Sequence, residues 1–169
     1  MGLITTLLHT LHLLAVVFWI GGVGYTLFVL IPGLQTVSLR DRSALVPRLF
    51  RRFLTLVWLS IAVVASTGLY RAVAVMGISS LNSLTGTYYG NILLLKLVLV
   101  AALFAVALSV SVRVYPRTVN HLKTHQNDPP TEYRCSKCRE VTGIVKAHLI
   151  AAVLLSAFIV FAAALLRGA

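Results

Sequence analysis

Acidic side chains are nearly missing from this chain: Asp41, Asp128, Glu132 and Glu140 are the only four among 169 residues. All four lie between the long apolar runs, which excludes a carboxylate pair or proton relay inside those runs. Methionine is as scarce, with only Met1 and Met76, so a methionine relay for copper(I) is excluded. Charged residues make up 11% of the chain and hydrophobic residues 59%. Soluble domains run at roughly 25% and 45–50% respectively, so a soluble globular domain is excluded as well. Two cysteines, Cys135 and Cys138, cannot frame a disulfide-built fold. Neither a glycine-rich phosphate loop nor a nucleophile–base motif is present.

What remains is four apolar stretches. Leu3–Ile31 carries no formal charge, Phe53–Met76 only Arg71, Ile92–Val112 only Lys96, and Ala147–Leu166 none. A helical crossing of a bilayer core takes about 20 apolar residues. The pattern therefore predicts an all-α integral membrane four-helix bundle, one domain over residues 1–169, with spans at about 3–31, 53–76, 91–114 and 145–167. The N-terminus lacks the basic region and cleavage site of a secretory signal and is expected to open the first span directly.

The net charge of +11 is distributed unevenly. Arg40, Arg42, Arg48, Arg51 and Arg52 fall between the first two spans. Arg113, Arg117, Lys123, Arg134, Lys137, Arg139 and Lys146 fall between the last two, and the connection 77–91 has no charge. This is the positive-inside pattern of a cytoplasmic (inner) membrane protein, with loops 32–52 and 115–144 cytoplasmic and both termini external. It assigns the basic residues to anionic lipid headgroups and excludes nucleic acid as a partner. The expected partners are the bilayer itself and either a second copy or a larger membrane complex.

Pro32-Gly33 is expected to stop the first span, and Asp128-Pro129-Pro130 to break the last loop, with Gly143 just ahead of the fourth span. Gly21-Gly22 in the first span, and Ala62, Ala65 and Ser66 in the second, are expected at close helix crossings. Tyr88 and Tyr89 read as an interfacial aromatic belt.

Ionisable groups inside a bilayer carry the most information about function. Thr5, His9, His12, Val16, Trp19 and Val23 share one helical face, which stacks His9 and His12 one turn apart. The topology places Arg71 and Lys96 in the same outer half of the bundle, and His148 at the opposite, cytoplasmic end. Two readings fit the outer group. Either Arg71 and Lys96 snorkel while the histidines bond between helices, or the group builds a copper or haem site. In the last loop, His121-x-x-x-His125 and Cys135-x-x-Cys138 have zinc-ligand spacing, and a reducing cytoplasm disfavours a disulfide there. The alternatives are a solvated basic loop without a ligand role and a redox pair.

The stretch from Leu11 through His12 and Trp19-Ile20-Gly21-Gly22 to Pro32 resembles the opening of the CopD (copper resistance D) membrane domain. Thr67-Gly68 and Tyr89-Gly90-Asn91-Ile92-Leu93-Leu94-Leu95-Lys96-Leu97, with Arg113 and Pro116, extend the resemblance over most of residues 9–117. It implies copper uptake or handling at a cytoplasmic membrane, with His9 and His12 as candidate ligands. The layout is also similar to the HemJ-type haem-binding membrane proteins. That likeness implies haem b with His12 and Lys96 as axial ligands, Arg71 on a propionate, and a quinone or porphyrin partner. An enzymatic activity, if present, would then be that of a haem-dependent membrane oxidoreductase. An accessory subunit of a larger complex is the third expectation.

Overall fold

The computed structural model describes residues 2–70, 73, 88–129, 131–132 and 134–165, apart from the side chain of Tyr89. Every regular element among them is helical. Helix α1 (Leu3–Tyr25) passes through one π-helical turn, Thr26–Leu30, into α2 (Ile31–Leu34). Helix α3 spans Leu39–Tyr70. Helix α4 (Tyr88–Ser109) passes through a second π turn, Val110–Val114, into α5 (Tyr115–Lys123). Helix α6 covers Ser136–Leu165. The result is four helices, each long and apolar enough to cross a membrane.

The helices run well beyond the bilayer-length stretches. The first reaches 32 residues and ends at Leu34, immediately after Pro32-Gly33, about 48 Å at 1.5 Å per residue. Each π turn lies just ahead of a proline. Ile31 N–H reaches back five residues to Thr26 C=O, and Tyr115 N–H likewise to Val110 C=O. The wider turn lets the helix continue where the rings of Pro32 and Pro116 would crowd the carbonyl four residues back. Helix α3 begins at Leu39, thirteen residues before the Arg51-Arg52 pair has passed. Ser38 starts it: Asp41 N–H donates to Ser38 Oγ at 3.2 Å and the Ser38 hydroxyl donates to the Asp41 carboxylate at 2.7 Å. Arg42 closes the preceding connection by donating to the carbonyls of Val37 (2.7 Å) and Gln35 (2.9 Å). Gly143 lies inside α6 rather than before it.

The early turns of α3, the end of α5 and the start of α6 thus project together as one basic end. Arg40, Arg48, Arg51, Arg52, Arg117, Lys123, Lys137 and Arg139 are all exposed there. Arg71 and most of the uncharged connection, residues 74–87, lie outside the described residues. Tyr88, on the first turn of α4, is exposed as a belt residue would be.

Helix α1 packs mainly on α3 and also on α6, α4 packs on α6, and α5 meets α3 at the basic end. Val23, Ile31, Leu103, Leu149 and Ala152 form the buried core, with Trp19 and Phe53 against it. Phe18 (73% exposed), Phe28 (71%) and Phe161 (63%) point outward. A bilayer is the environment in which that much exposed aromatic surface is stable. Of the expected close-crossing positions, only Gly22 faces a neighbouring helix of the same chain. A Cβ on Gly21 would meet nothing within 4 Å, and one on Gly22 would only touch the Phe53 ring at 3.8 Å. Ala62, Ala65 and Ser66 are exposed, while Val57, Ser60 and Thr67 are buried, so α3 turns a different face inward. Small residues buried inside the bundle, among the described residues, include Ala15, Ser60, Gly90, Ala107, Ala152, Ser156 and Ala162.

Enlarging one of these should overpack the bundle. Ala152→Leu is expected to destabilise the protein by about 1–3 kcal/mol and to lower its melting temperature in detergent, whereas the lipid-facing Phe158→Leu should leave the melt unchanged.

Candidate functional site

Polar chemistry is concentrated at three levels of the bundle. At the end shared by the chain termini, α1 turns the expected face inward. Thr5, His9, His12, Val16 and Trp19 are half-buried and Val23 is buried, while Leu7, Leu11, Leu14 and Phe18 on other faces are exposed. His12 Nδ1 lies 2.7 Å from Thr67 Oγ1 on α3. The Thr67 hydroxyl donates its own proton to Val63 C=O at 2.6 Å, so toward His12 it can only accept. With the hydroxyl proton on Val63 C=O, a neutral His12 ring donates from Nδ1 and carries its lone pair on Nε2, the form in which imidazole ligates a metal. Gly68, one residue on, comes close to the same ring: a Cβ there would sit 3.6 Å from His12 Cε1.

Lys96 is half-buried, about two turns into α4. His9, His12 and Lys96 all take part in polar or electrostatic interactions within the bundle. Arg71, the fourth member expected in this layer, lies outside the described residues. In the sequence, Thr67 stands out only as part of the CopD-like Thr67-Gly68 pair. Its role as the orienting partner of His12 follows only once the register of α1 against α3 is known.

Deeper toward the basic end the polar groups pair among themselves. Trp58 Nε1–H donates to Ser111 Oγ at 3.0 Å, and its indole meets Phe104 edge-on at 5.4 Å. His148 Nδ1 is 2.9 Å from Ile144 C=O, an acceptor only, so its Nε2 accepts from the Ser109 hydroxyl at 3.2 Å. Both ring nitrogens are thereby used, and His148 is a structural histidine joining α6 to α4.

At the basic end the last turn of the third helix meets the first turn of the fourth. His121 ends α5, His125 follows one turn later, Cys135 stands immediately before α6, and Cys138 lies in its first turn. Their four candidate ligand atoms all fall within 4.8 Å of one another, a group that can hold a metal ion. His121 Nε2 is 3.5 Å from Cys135 Sγ and 3.3 Å from Cys138 Sγ, and His125 Nε2 is 3.7 Å from Cys138 Sγ. Asp128 Oδ2 accepts from His125 Nδ1 at 2.5 Å, which aims Nε2 at the sulfurs. Cys135 Sγ accepts the Cys138 backbone N–H at 3.2 Å and so caps α6.

The Asp128 carboxylate raises the pKa of His125 above the ordinary 6.5, outweighing partial burial. Burial pushes the Cys135 thiol up, but hydrogen bonds from the Cys138 thiol and backbone, with His125 beside them, hold it below the usual thiol value. The loop is tied to the rest of the molecule by Leu39 N–H, which donates to Glu132 C=O at 2.9 Å. Beneath it, an apolar cavity of about 110 Å³ is lined by His121 and Cys138 together with Thr26, Phe50, Phe53 and Val145.

Residues 47–166 match the family model described as Copper resistance protein D (CopD). The match takes in Thr67, Lys96, His148 and all four His/Cys residues, and it begins after α2, so His9 and His12 precede it. Neither curated proteins nor solved structures give a match.

Two outcomes follow from these assignments. His148→Ala should lower the melting temperature, because it strands Ser109, without changing the content of any bound metal. In metal-stripped protein, an NMR titration should place the His125 midpoint above 6.5, and Asp128→Asn should bring it down. With a raised folded-state pKa, the stabilisation from His125 is full below the unfolded value and is lost as pH rises through the folded one.

Proposed function

The chain belongs to the CopD family of copper resistance membrane proteins, and from that premise we propose that it handles copper at a cytoplasmic membrane, with His9 and His12 as the intramembrane ligands. The observation that carries this reading is the His12–Thr67 hydrogen bond. Copper(I) and copper(II) both bind neutral imidazole, and a ligand histidine works best when its other nitrogen is held by an outer partner. Thr67 supplies that partner, and His9 lies on the same inward face one turn away. The positive-inside rule gives the orientation: the basic end faces the cytoplasm and the termini face out, so the two histidines serve the external side.

A haem b reading, with His12 and Lys96 as axial ligands and a quinone or porphyrin as partner, competes for the same layer. Both residues are half-buried, on helices that pack mainly against others rather than on each other. Arg71 would be available to a propionate in that reading, and to charge compensation at the outer headgroups in the copper one.

Detergent-solubilised protein carrying Cys135→Ser and Cys138→Ser, supplied with copper and haem during expression, separates these readings. The expected result is copper bound by this protein and lost in His9→Ala/His12→Ala, with affinity weakened about 10–100-fold in Thr67→Val. A reduced-minus-oxidised Soret band abolished by His12→Ala and by Lys96→Ala would replace copper with haem. Protein that takes up neither would fit an accessory subunit instead.

A further inference from the structure

We infer that His121, His125, Cys135 and Cys138 form a closed tetrahedral Zn²⁺ site that fastens the end of the third helix to the start of the fourth. The inference stands apart from the copper reading, since the two groups occupy opposite ends of the bundle and share no residue. Its first support is metrical. Zinc bonds of about 2.3 Å to sulfur and about 2.05 Å to nitrogen, at a tetrahedral angle, separate the two ligand atoms by about 3.6 Å. The three S···N distances here are 3.3, 3.5 and 3.7 Å. Three of the six edges of such a tetrahedron are thus in place, and all four ligand atoms lie within 4.8 Å of one another.

The second support is the surrounding chemistry. Asp128 holds the far nitrogen of His125, the carboxylate–histidine arrangement common to zinc sites. Cys135 accepts a backbone N–H at the start of α6, where the helix favours a thiolate. Two thiolates and two neutral imidazoles around Zn²⁺ carry no net charge. That suits a site whose inner side borders an apolar cavity, among Phe50, Phe53 and Val145. An S₂N₂ tetrahedron is moreover an arrangement characteristic of zinc.

With four protein ligands the coordination is complete, which makes the site structural rather than a relay. Its location gives it a mechanical role. The ligands bracket the loop 126–134, and that loop is bonded to the start of α3 through Glu132 and Leu39. The ion would thus join three of the four long helices at the basic end and fix one wall of the cavity.

The test uses the full-length protein purified in detergent without chelator. Wild type should retain one zinc per chain, with two sulfur and two nitrogen scatterers by zinc X-ray absorption. Cys135→Ser/Cys138→Ser should retain none. Asp128→Asn, which leaves all four ligands in place, should bind zinc about 10–100-fold more weakly in chelator competition while its helical circular dichroism is unchanged. Equal zinc in wild type and the double cysteine variant would overturn the site, as would copper in its place that the cysteine substitutions remove. A Cys135–Cys138 disulfide in anaerobically purified protein would overturn it too. Because the copper experiment is performed in the cysteine-free background, either proposal can fail without the other.

Discussion

The constraint on which this molecule depends is the exclusion of charge from hydrocarbon. A charged side chain at the bilayer centre is expensive, by roughly 2.5–3.5 kcal/mol even on insertion scales. The chain accordingly places nearly all its cations and all four carboxylates at one end of the bundle. That sorting explains the overlong helices: α3 and α6 begin as basic, water-exposed turns and become apolar only after fourteen residues (39–52) and eleven residues (136–146) respectively. It also explains the pairing of the few polar groups left inside. Thr67, Ser109 and Ser111 satisfy His12, His148 and Trp58 across helix interfaces, and among the described residues no buried side-chain polar atom lacks a partner.

The three histidine environments differ by what holds the ring. His148 is consumed at both nitrogens by protein groups, which is the architecture of a structural residue. His12 is held at Nδ1 by the Thr67 hydroxyl, which also bonds Val63 C=O within its own helix. His121 and His125 present Nε2 to two sulfurs, and their rings meet edge to face at 5.1 Å. On the proposed assignments, an imidazole pair and a thiolate–imidazole cluster would select ions by different chemistry, so one chain could hold two metals without exchanging them.

Much of this was legible from residue spacing. The four apolar runs specify the four crossings, and the 3.6-residue period from Thr5 to Val23 identifies the inward face of α1. The His-x₃-His and Cys-x₂-Cys spacings identify the cluster residues before any fold is known. What the spacing could not provide were contacts between elements. Thr67 as the partner of His12 depends on the register of α1 on α3, and Asp128 as the partner of His125 depends on the path of a proline-containing loop. The glycines misled because Gly21-Gly22 marks a close crossing only if a neighbouring backbone approaches, and here a flexible Phe53 ring fills the space instead. The Pro32-Gly33 stop falls within a residue of the helix end at Leu34, although a π turn carries the helix through the proline itself.

The central claim is that copper is held by imidazole in the membrane layer around His12 and not by the cysteines at the basic end. Copper X-ray absorption on the protein loaded with one equivalent tests it directly. The account predicts nitrogen scatterers with imidazole character and no sulfur, the same in wild type and in Cys135→Ser/Cys138→Ser, and lost in His9→Ala/His12→Ala. A sulfur shell in wild type that disappears with the cysteines would contradict it.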